Sequence, residues 1–351
     1  MVLRSKTFVE TYREDLSLFR TIWLKCWWTI LLVSIIVFPF MVGRYSLYTI
    51  NLAGIYIIGA IGLNILTGYT GQISIGHAAF IAIGSYTTTI LGERMGFLPF
   101  YIIIPLSGII ATLIGVLVGL PCLRLKGLYL AMATMSFGIV VQYVLFQWDS
   151  LTHGALGMAA PSVTFLGLKI DSDKKFYFLI AVIVFLLGFA AKNMMRMKIG
   201  RAFVAIRDRD IAADVIGVDL TRYKVMAFGI SSFYAGVSGS LFAYYTTHVN
   251  PEYFTIFLSV EYLAMIIVGG MGSILGSILG AMFIGIIPEW LRIFFGFLGQ
   301  SFHLTGLVFT QQLKVITYGV LIILFLIFES GGLFAIWQRV KTSFKSWPFT
   351  Y

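Results

Sequence analysis

The stretch MRMKIGRAFVAIRDRDIAADVIGVDLTRYK (Met195–Lys224) decides how the rest of the chain is read. It is the one long polar island between apolar runs. It carries Arg196, Lys198, Arg201, Arg207, Arg209, Arg222 and Lys224 against Asp208, Asp210, Asp214 and Asp219. Charge at that density is too costly to leave in hydrocarbon, so the island lies in water or among headgroups, and its surplus of cations assigns it to the cytoplasmic side of a membrane. Within it, Gly200 precedes a short helical piece, Arg201 to Ile206. Asp210 is then a good N-cap for Ile211 to Ile216, which Gly217 closes as a C-cap glycine.

Outward from the island the sequence is apolar almost throughout. Of 351 residues 59% are hydrophobic and 11% charged, with mean hydropathy +0.93, too apolar for a soluble protein of this length. A formal net charge of +10 would suggest nucleic acid in a soluble domain; here the cations sort by side of the membrane, so no nucleic-acid partner is expected and membrane lipid is. Cys26 and Cys122 both fall near expected cytoplasmic helix ends, which indicates neither a periplasmic disulfide nor a metal site. The polar first 25 residues lead into an apolar run with no small-residue cleavage site, read as an uncleaved first transmembrane helix.

At about 20 apolar residues per crossing, the pattern predicts an all-α polytopic membrane protein. About ten crossings are expected, at residues 26–42, 47–66, 73–91, 98–120, 127–147, 176–191, 225–247, 254–268, 273–288 and 313–328. The organisation is then a cytoplasmic N-terminal segment 1–25, a transmembrane domain 26–328, and a cytoplasmic interfacial tail 329–351 rich in Trp, Phe, Lys and Arg. The domain includes a cytoplasmic loop 192–224 and a periplasmic loop 148–175. With both ends inside, 18 of the 25 Lys and Arg face the cytoplasm, an asymmetry that an odd number of crossings would break.

Two glycine-broken regions differ from ordinary transmembrane sequence. The first runs Gly68-Tyr-Thr-Gly71-Gln72-Ile-Ser74-Ile-Gly76-His77; the second is Gly269-Gly270-Met-Gly272-Ser273, followed by Gly276 and Gly280. Glycines four apart smooth a helix face for close packing, whereas glycines two or three apart let backbone unwind, tolerated at membrane depth only against protein or a water-filled cavity. One such break in each half of a chain points to a transport path. Gln72, Ser74 and His77 put polar atoms at the first break; for His77 a neutral imidazole bonded to a carbonyl is the preferred reading, and His153, His248 and His303 lie at loops or helix ends. Glu261 is the one acid well inside an expected crossing, placed to face the interior, either packing two bundles together or lining the path. No metal-ligand cluster is apparent.

These residues resemble the branched-chain amino acid ABC importer permeases. The resemblance is carried by Thr67 to Phe80, by Gly200-Arg-Ala with Ala212-Ala213 and Gly217, by Thr221-Arg-Tyr-Lys224, and by Gly269-Gly-Met-Gly-Ser273, and it covers nearly the whole chain. The extended loop after the fifth crossing is similar to the longer of the two paired permease types. The resemblance implies a bacterial inner-membrane subunit that is not itself an enzyme, with a companion permease, two cytoplasmic ATPases that hold ATP and Mg, and a periplasmic substrate-binding protein. It implies ATPase coupling through Arg201, Phe203, Asp210, Ala212, Ala213 and Gly217; the residues themselves already offer Phe203, Ile211 and Val215 as apolar anchors of the helix-in-groove kind. It further implies a translocation path at Gly68, Gly71, Gln72, Ser74, Gly76, His77, Glu261, Gly269, Gly270 and Gly272. Three departures stand out: Ile211 where importer permeases carry a glutamate, His153 where a glycine is usual, and Glu329-Ser330 in place of an Arg-Pro pair.

Other readings of the residues stay open. The island is also what any cytoplasmic loop of a basic membrane protein looks like. No Gly-Lys dipeptide occurs, so a Walker A loop is absent and any ATPase is a separate polypeptide. An ion-coupled secondary transporter also uses broken helices but wants buried acid–base pairs, which are scarce here. Gly236-Val-Ser238-Gly239 with His248 matches the short signature of an intramembrane serine protease, although small-residue helix packing explains it too. Within the resemblance, permeases of this type also serve urea and short amides.

Overall fold

The computed structural model describes residues 22–95, 98–122, 125–161, 163–165, 168–169, 172–302 and, of 316–346, all but 317, 318, 321, 326 and 330. Residues 1–21 of the N-terminal segment, Arg124, His303, Lys314 and 347–351 of the tail lie outside the described residues, as does much of the expected crossing 313–328. The chain divides into two compact units, 1–47 and 48–351. Helix α1 (Ile22–Met41) belongs to the first.

Helix α2 (Arg44–Leu63) enters the larger unit and unwinds into a π-helical turn, Asn64–Tyr69. There follow α3 (His77–Arg94), α4 (Phe100–Cys122) and α5 (Leu128–Gln147). Next come a short α6 (Asp149–Thr152), the long α7 (Asp173–Arg196), the island helices α8 (Lys198–Asp208) and α9 (Asp210–Val215), and α10 (Leu220–Thr246). Helices α11 (Ile256–Gly269), α12 (Ile274–Phe302) and α13 (Gly332–Ser346) complete the order.

Among the described residues six helical runs are long and apolar enough to cross a membrane: Arg44–Tyr69, Phe100–Cys122, Leu128–Gln147, Asp173–Arg196, Leu220–Thr246 and Pro251–Gly269. The structure therefore gives a multi-pass membrane protein without establishing ten crossings. The expected crossing 73–91 is α3, rich in Ser, Thr and Gly; it is buried along most of its length, so its surroundings are protein and its composition need not suit lipid.

The core of the larger unit is α10 held between α3 and α4. Lipid offers no hydrophobic drive for helices to associate, so contact depends on close approach and on hydrogen bonds. Both are present. Gly84 lies against the backbone of Gly236, and Gly239 against the Ile81 carbonyl, with no room for a Cβ at either glycine. Ser85 Oγ donates to Gly239 O at 2.7 Å and Thr88 Oγ1 to Ser240 Oγ at 2.7 Å. On the other flank a Cβ at Gly236 would lie 2.9 Å from Ser107 O and 2.6 Å from Ala111 Cβ.

The loop opposite the island adds two short strand pairs to an otherwise helical fold. Strand β1 (Met158–Ala159) pairs antiparallel with β4 (His248–Val249), and β2 (Thr164–Phe165) with β3 (Leu168–Lys169). Backbone groups leaving the helix ends need partners, and Gly157 (φ 72°) turns the loop so that residues 158–159 meet the segment after α10. On the same side Asn51 Nδ2 donates to Asp173 O at 3.0 Å and Tyr245 OH at 3.2 Å, joining α2, α7 and α10.

Candidate functional site

The two glycine breaks, far apart in sequence, meet. At the first, the π turn leaves carbonyls without helical partners. Leu66 O accepts from Gln72 N at 3.1 Å and from Thr70 Oγ1, and Thr67 Oγ1 donates to Gln72 O at 3.1 Å. Gly71 (φ 70°) makes the reversal that follows. Gln72 is thus buried in the cap of its own break, with Nε2 donating to Thr70 Oγ1 at 3.3 Å. Ser74 is buried, Ile75 N donates to Thr134 Oγ1 at 3.0 Å, and Gly76 sits directly on the Thr134 carbonyl. His77 Nε2 donates to Gly59 O at 2.9 Å, its ring edge-on to Tyr262 at 5.3 Å.

At the second break α11 ends on Gly269; Gly270 (φ 115°) and Gly272 (φ 77°) turn the chain, and Ser273 caps α12 by accepting from Gly276 N at 3.1 Å. Gly269, Gly276 and Gly280 let α12 fold back onto α11 with backbone on backbone: a Cβ at Gly280 would lie 2.7 Å from Gly269 Cα.

Asn64, in the π turn, stitches the breaks together. Its Oδ1 accepts from Gly272 N at 2.8 Å, while Nδ2 donates to Ser273 O at 2.8 Å and Ser277 Oγ at 2.6 Å. Gly68 has no side chain because Asn64 and the Gly272 amide occupy that space. Arg207, from the last turn of α8, reaches the same point: Nη1 donates to Gly68 O at 3.1 Å.

The island is therefore built onto the breaks. Phe203, Ala202 and Ile206 are buried along one side of α8, and Phe203 packs edge-on to Tyr223 at 6.3 Å. This corrects the expectation that Phe203 is a surface anchor: the amphipathic face of α8 packs on the protein's own core. Ala213 is buried as well, whereas Arg201 and Ala212 are exposed. Asp210 is the first residue of α9 rather than its N-cap, a one-residue difference that leaves its carboxylate available to Lys126 at 2.6 Å and Lys224 at 3.7 Å. The hydrogen bond from Lys126 holds the Asp210 carboxyl below its ordinary range, against a smaller opposing effect of burial, with Lys224 and the Ile211 amide acting the same way as Lys126. Gly217 (φ 88°) closes α9 with Gly217 N to Asp214 O at 2.9 Å and Val218 N to Ala213 O at 2.9 Å, the two bonds of a Schellman cap. What α9 presents is apolar: Ile211, Val215 and Ile216 are 75%, 84% and 75% exposed.

Comparison with known proteins places this architecture. The profile of the family described as "Branched-chain amino acid transport system / permease component" matches residues 45–326. The chain belongs to this permease family. It is 36% identical over 288 residues to the high-affinity branched-chain amino acid transport system permease protein LivM of Escherichia coli (strain K12) and to that of Salmonella typhimurium, covering 75% of this chain and 68% of each relative. With the LivH permease protein of Escherichia coli (strain K12) identity is 23% over 301 residues, 80% of this chain and 92% of that one. The permease is thus of the longer, LivM type. No solved structure matches it.

In this permease Glu261 is buried and lines a cleft of about 480 Å³ with Tyr56, Phe242, Phe254, Phe257 and Tyr262, the last of which packs edge-on to His77 at the end of the first break. The Ser238 hydroxyl donates to Ile55 O at 2.9 Å and lies 3.4 Å from Tyr262 OH, while His248 sits on β4 opposite Ala159. Gly236 and Gly239 are helix contacts, so this serine is wired as a packing residue and not as a nucleophile. Sequence reasoning missed Asn64 and gave Arg207 no role of its own. An asparagine close before a glycine cluster was the available signal for the first, since a buried amide needs partners.

Proposed function

We propose that this chain is one permease subunit of an ATP-driven importer and forms half of the translocation path for branched-chain amino acids or similar small solutes. A companion permease supplies the other half, two cytoplasmic ATPases bind ATP and Mg, and a periplasmic binding protein delivers the solute. On this reading the chain crosses the bacterial inner membrane about ten times with both ends in the cytoplasm. The family and the likeness to proteins named LivM and LivH support the solute class and the pairing.

The observation that carries the reading is the apolar tip of α9. Ile211, Val215 and Ile216 stand exposed on a segment otherwise dense in charge, held by a closed cap at one end and by Asp210 with Lys126 and Lys224 at the other. A rigid apolar knob with a charged rim has the composition of a docking surface. Reversing a two-state path takes about 5.5 kcal/mol of differential binding, and the knob is where a partner ATPase delivers it.

The test is a double substitution, Ile211→Asp with Val215→Asp, in the complex co-expressed with its ATPases. The chain is expected to accumulate in the membrane at its normal level, since both residues are exposed, and to lose the ATPases on purification along with leucine uptake. Uptake and co-purification both unchanged would reject the reading. Ala212→Trp tests the same surface; the buried Ala213 does not, because a bulky residue there tests folding.

A further inference from the structure

The last residues of α8 connect the apolar knob to both glycine breaks through one side chain. Arg207 is the penultimate residue of α8, and α9 begins at Asp210 after a single extended residue, Arg209 (φ −157°, ψ 103°). Phe203, one turn earlier, and the adjacent Ile206 anchor α8 in the core. Asp208 Oδ1 receives Arg207 Nε at 3.1 Å and lies 3.1 Å from Nη2, which orients the guanidinium and leaves Nη1 for Gly68 O.

Two glycines make the space for this side chain. A Cβ at Gly71 would lie 3.1 Å from Arg207 Cγ, and one at Gly272 would lie 2.8 Å from Nη1. Both residues also have positive φ, so each break meets the arginine at a backbone conformation that side chains disfavour. Gly68 O belongs to the carbonyl end of a broken helix, where partial negative charge favours a cation. Because Asn64 binds the first break to the second, whatever moves Gly68 moves Gly272 and Ser273 with it.

We propose that Arg207 is the positioning residue that transmits displacement of α9 to the two breaks, holding them closed in the arrangement described and releasing them when its bond to Gly68 O is broken. This rests on the importer reading for its biological consequence, though not for its geometry. A lysine would keep the charge without the forked donor set.

The experiment uses the full complex in a background lacking Cys26 and Cys122, with Ser74→Cys as reporter. Ser74 is buried at the first break and its hydroxyl has no hydrogen-bond partner among the described residues, so a thiol there removes no bond. Arg207→Ala is expected to leave the ATPases bound and ATP hydrolysis within about twofold of normal, and to lower uptake by about tenfold or more. It should also raise, by about tenfold or more, the rate at which a membrane-impermeant maleimide modifies the reporter thiol. Arg207→Lys should fall between, and Arg222→Ala, exposed at the start of α10, should match the parent. Unchanged labelling of the reporter thiol, or uptake and hydrolysis falling in parallel, would overturn the proposal. If Arg207→Ala fails to accumulate, Arg207→Gln, which drops the charge but keeps an amide, is read by the same labelling. Uptake and hydrolysis are measured in the complex that keeps Ser74 and labelling in the reporter complex, so absence of ATP-dependent uptake in the former would reject the importer and leave the labelling result to judge the clamp alone.

Discussion

Asn64 is a single amide whose side-chain hydrogen bonds reach a segment more than two hundred residues away. Replacing it with leucine, similar in size and without polar atoms, would leave the Gly272 amide and the Ser273 carbonyl without that partner. Each such loss costs on the order of 1–3 kcal/mol, and somewhat less in membrane proteins. Asn64→Leu is therefore expected to lower stability in detergent by about 2 kcal/mol; a thermal midpoint equal to the parent's would count against the stitch. His153 presents the opposite case. It adopts a left-handed conformation (φ 57°, ψ 21°) at a position where the family resemblance leads one to expect glycine. His153→Gly should stabilise by about 0.5–1 kcal/mol, because αL is strained for an L side chain and not for glycine. A lowered midpoint would show that its contact with Glu93, 3.9 Å away, matters more. Neither residue's role was legible from spacing, since an asparagine's partners and a histidine's φ are both set by chain that lies elsewhere.

At the scale of elements, Gly276 and Gly280 on α12 and the small-residue run Gly236 to Gly239 on α10 were readable as contact faces, because the spacing of small residues is a local property of a helix. Which helix each face meets was not. Gly239→Val puts a branched side chain onto the Ile81 carbonyl, an overpacking that backbone cannot relieve, and is expected to cost about 3 kcal/mol or more, the upper range for such changes. Gly188→Val on α7, where the nearest atom is Ile61 Cδ1 at 3.9 Å, should be tolerated. Equal yields of the two folded variants would refute the packing argument. The island elements add a pH dependence. Because the Asp210 carboxyl is lowered in the folded protein, its stabilisation is present above the ordinary carboxylate value of 3.8 and is lost as pH falls through the folded value. Lys126 is largely exposed, so the effect is at most about 1 kcal/mol. Asp210→Asn should flatten the acid limb of the stability curve below about pH 4, and an unaltered acid limb would show that the ion pair contributes nothing measurable.

For the whole molecule, the proposed orientation makes a direct prediction: a cysteine substituted for Arg201 in the island is modified only from the cytoplasmic side, and one substituted for the exposed Leu156 only from the other. Modification of both from one side would invert or abolish the topology. The resemblance of its motifs pointed to a branched-chain amino acid permease family; the residues themselves determined that this is a membrane protein, where along the chain its polar island lies, and where its helices break. Each of these last three follows from a local quantity: the cost of placing charge in hydrocarbon, the length of an apolar run, the backbone freedom of clustered glycine. Tertiary structure alone decided that the two breaks meet, that Arg207 from the island donates to the first of them at Gly68 O, and that Phe203 is core while Ile211, Val215 and Ile216 remain outside. Those facts depend on which surfaces meet when the helices pack, and a hydrogen bond or a buried face between residues far apart in the chain leaves no periodic trace in either partner's own sequence.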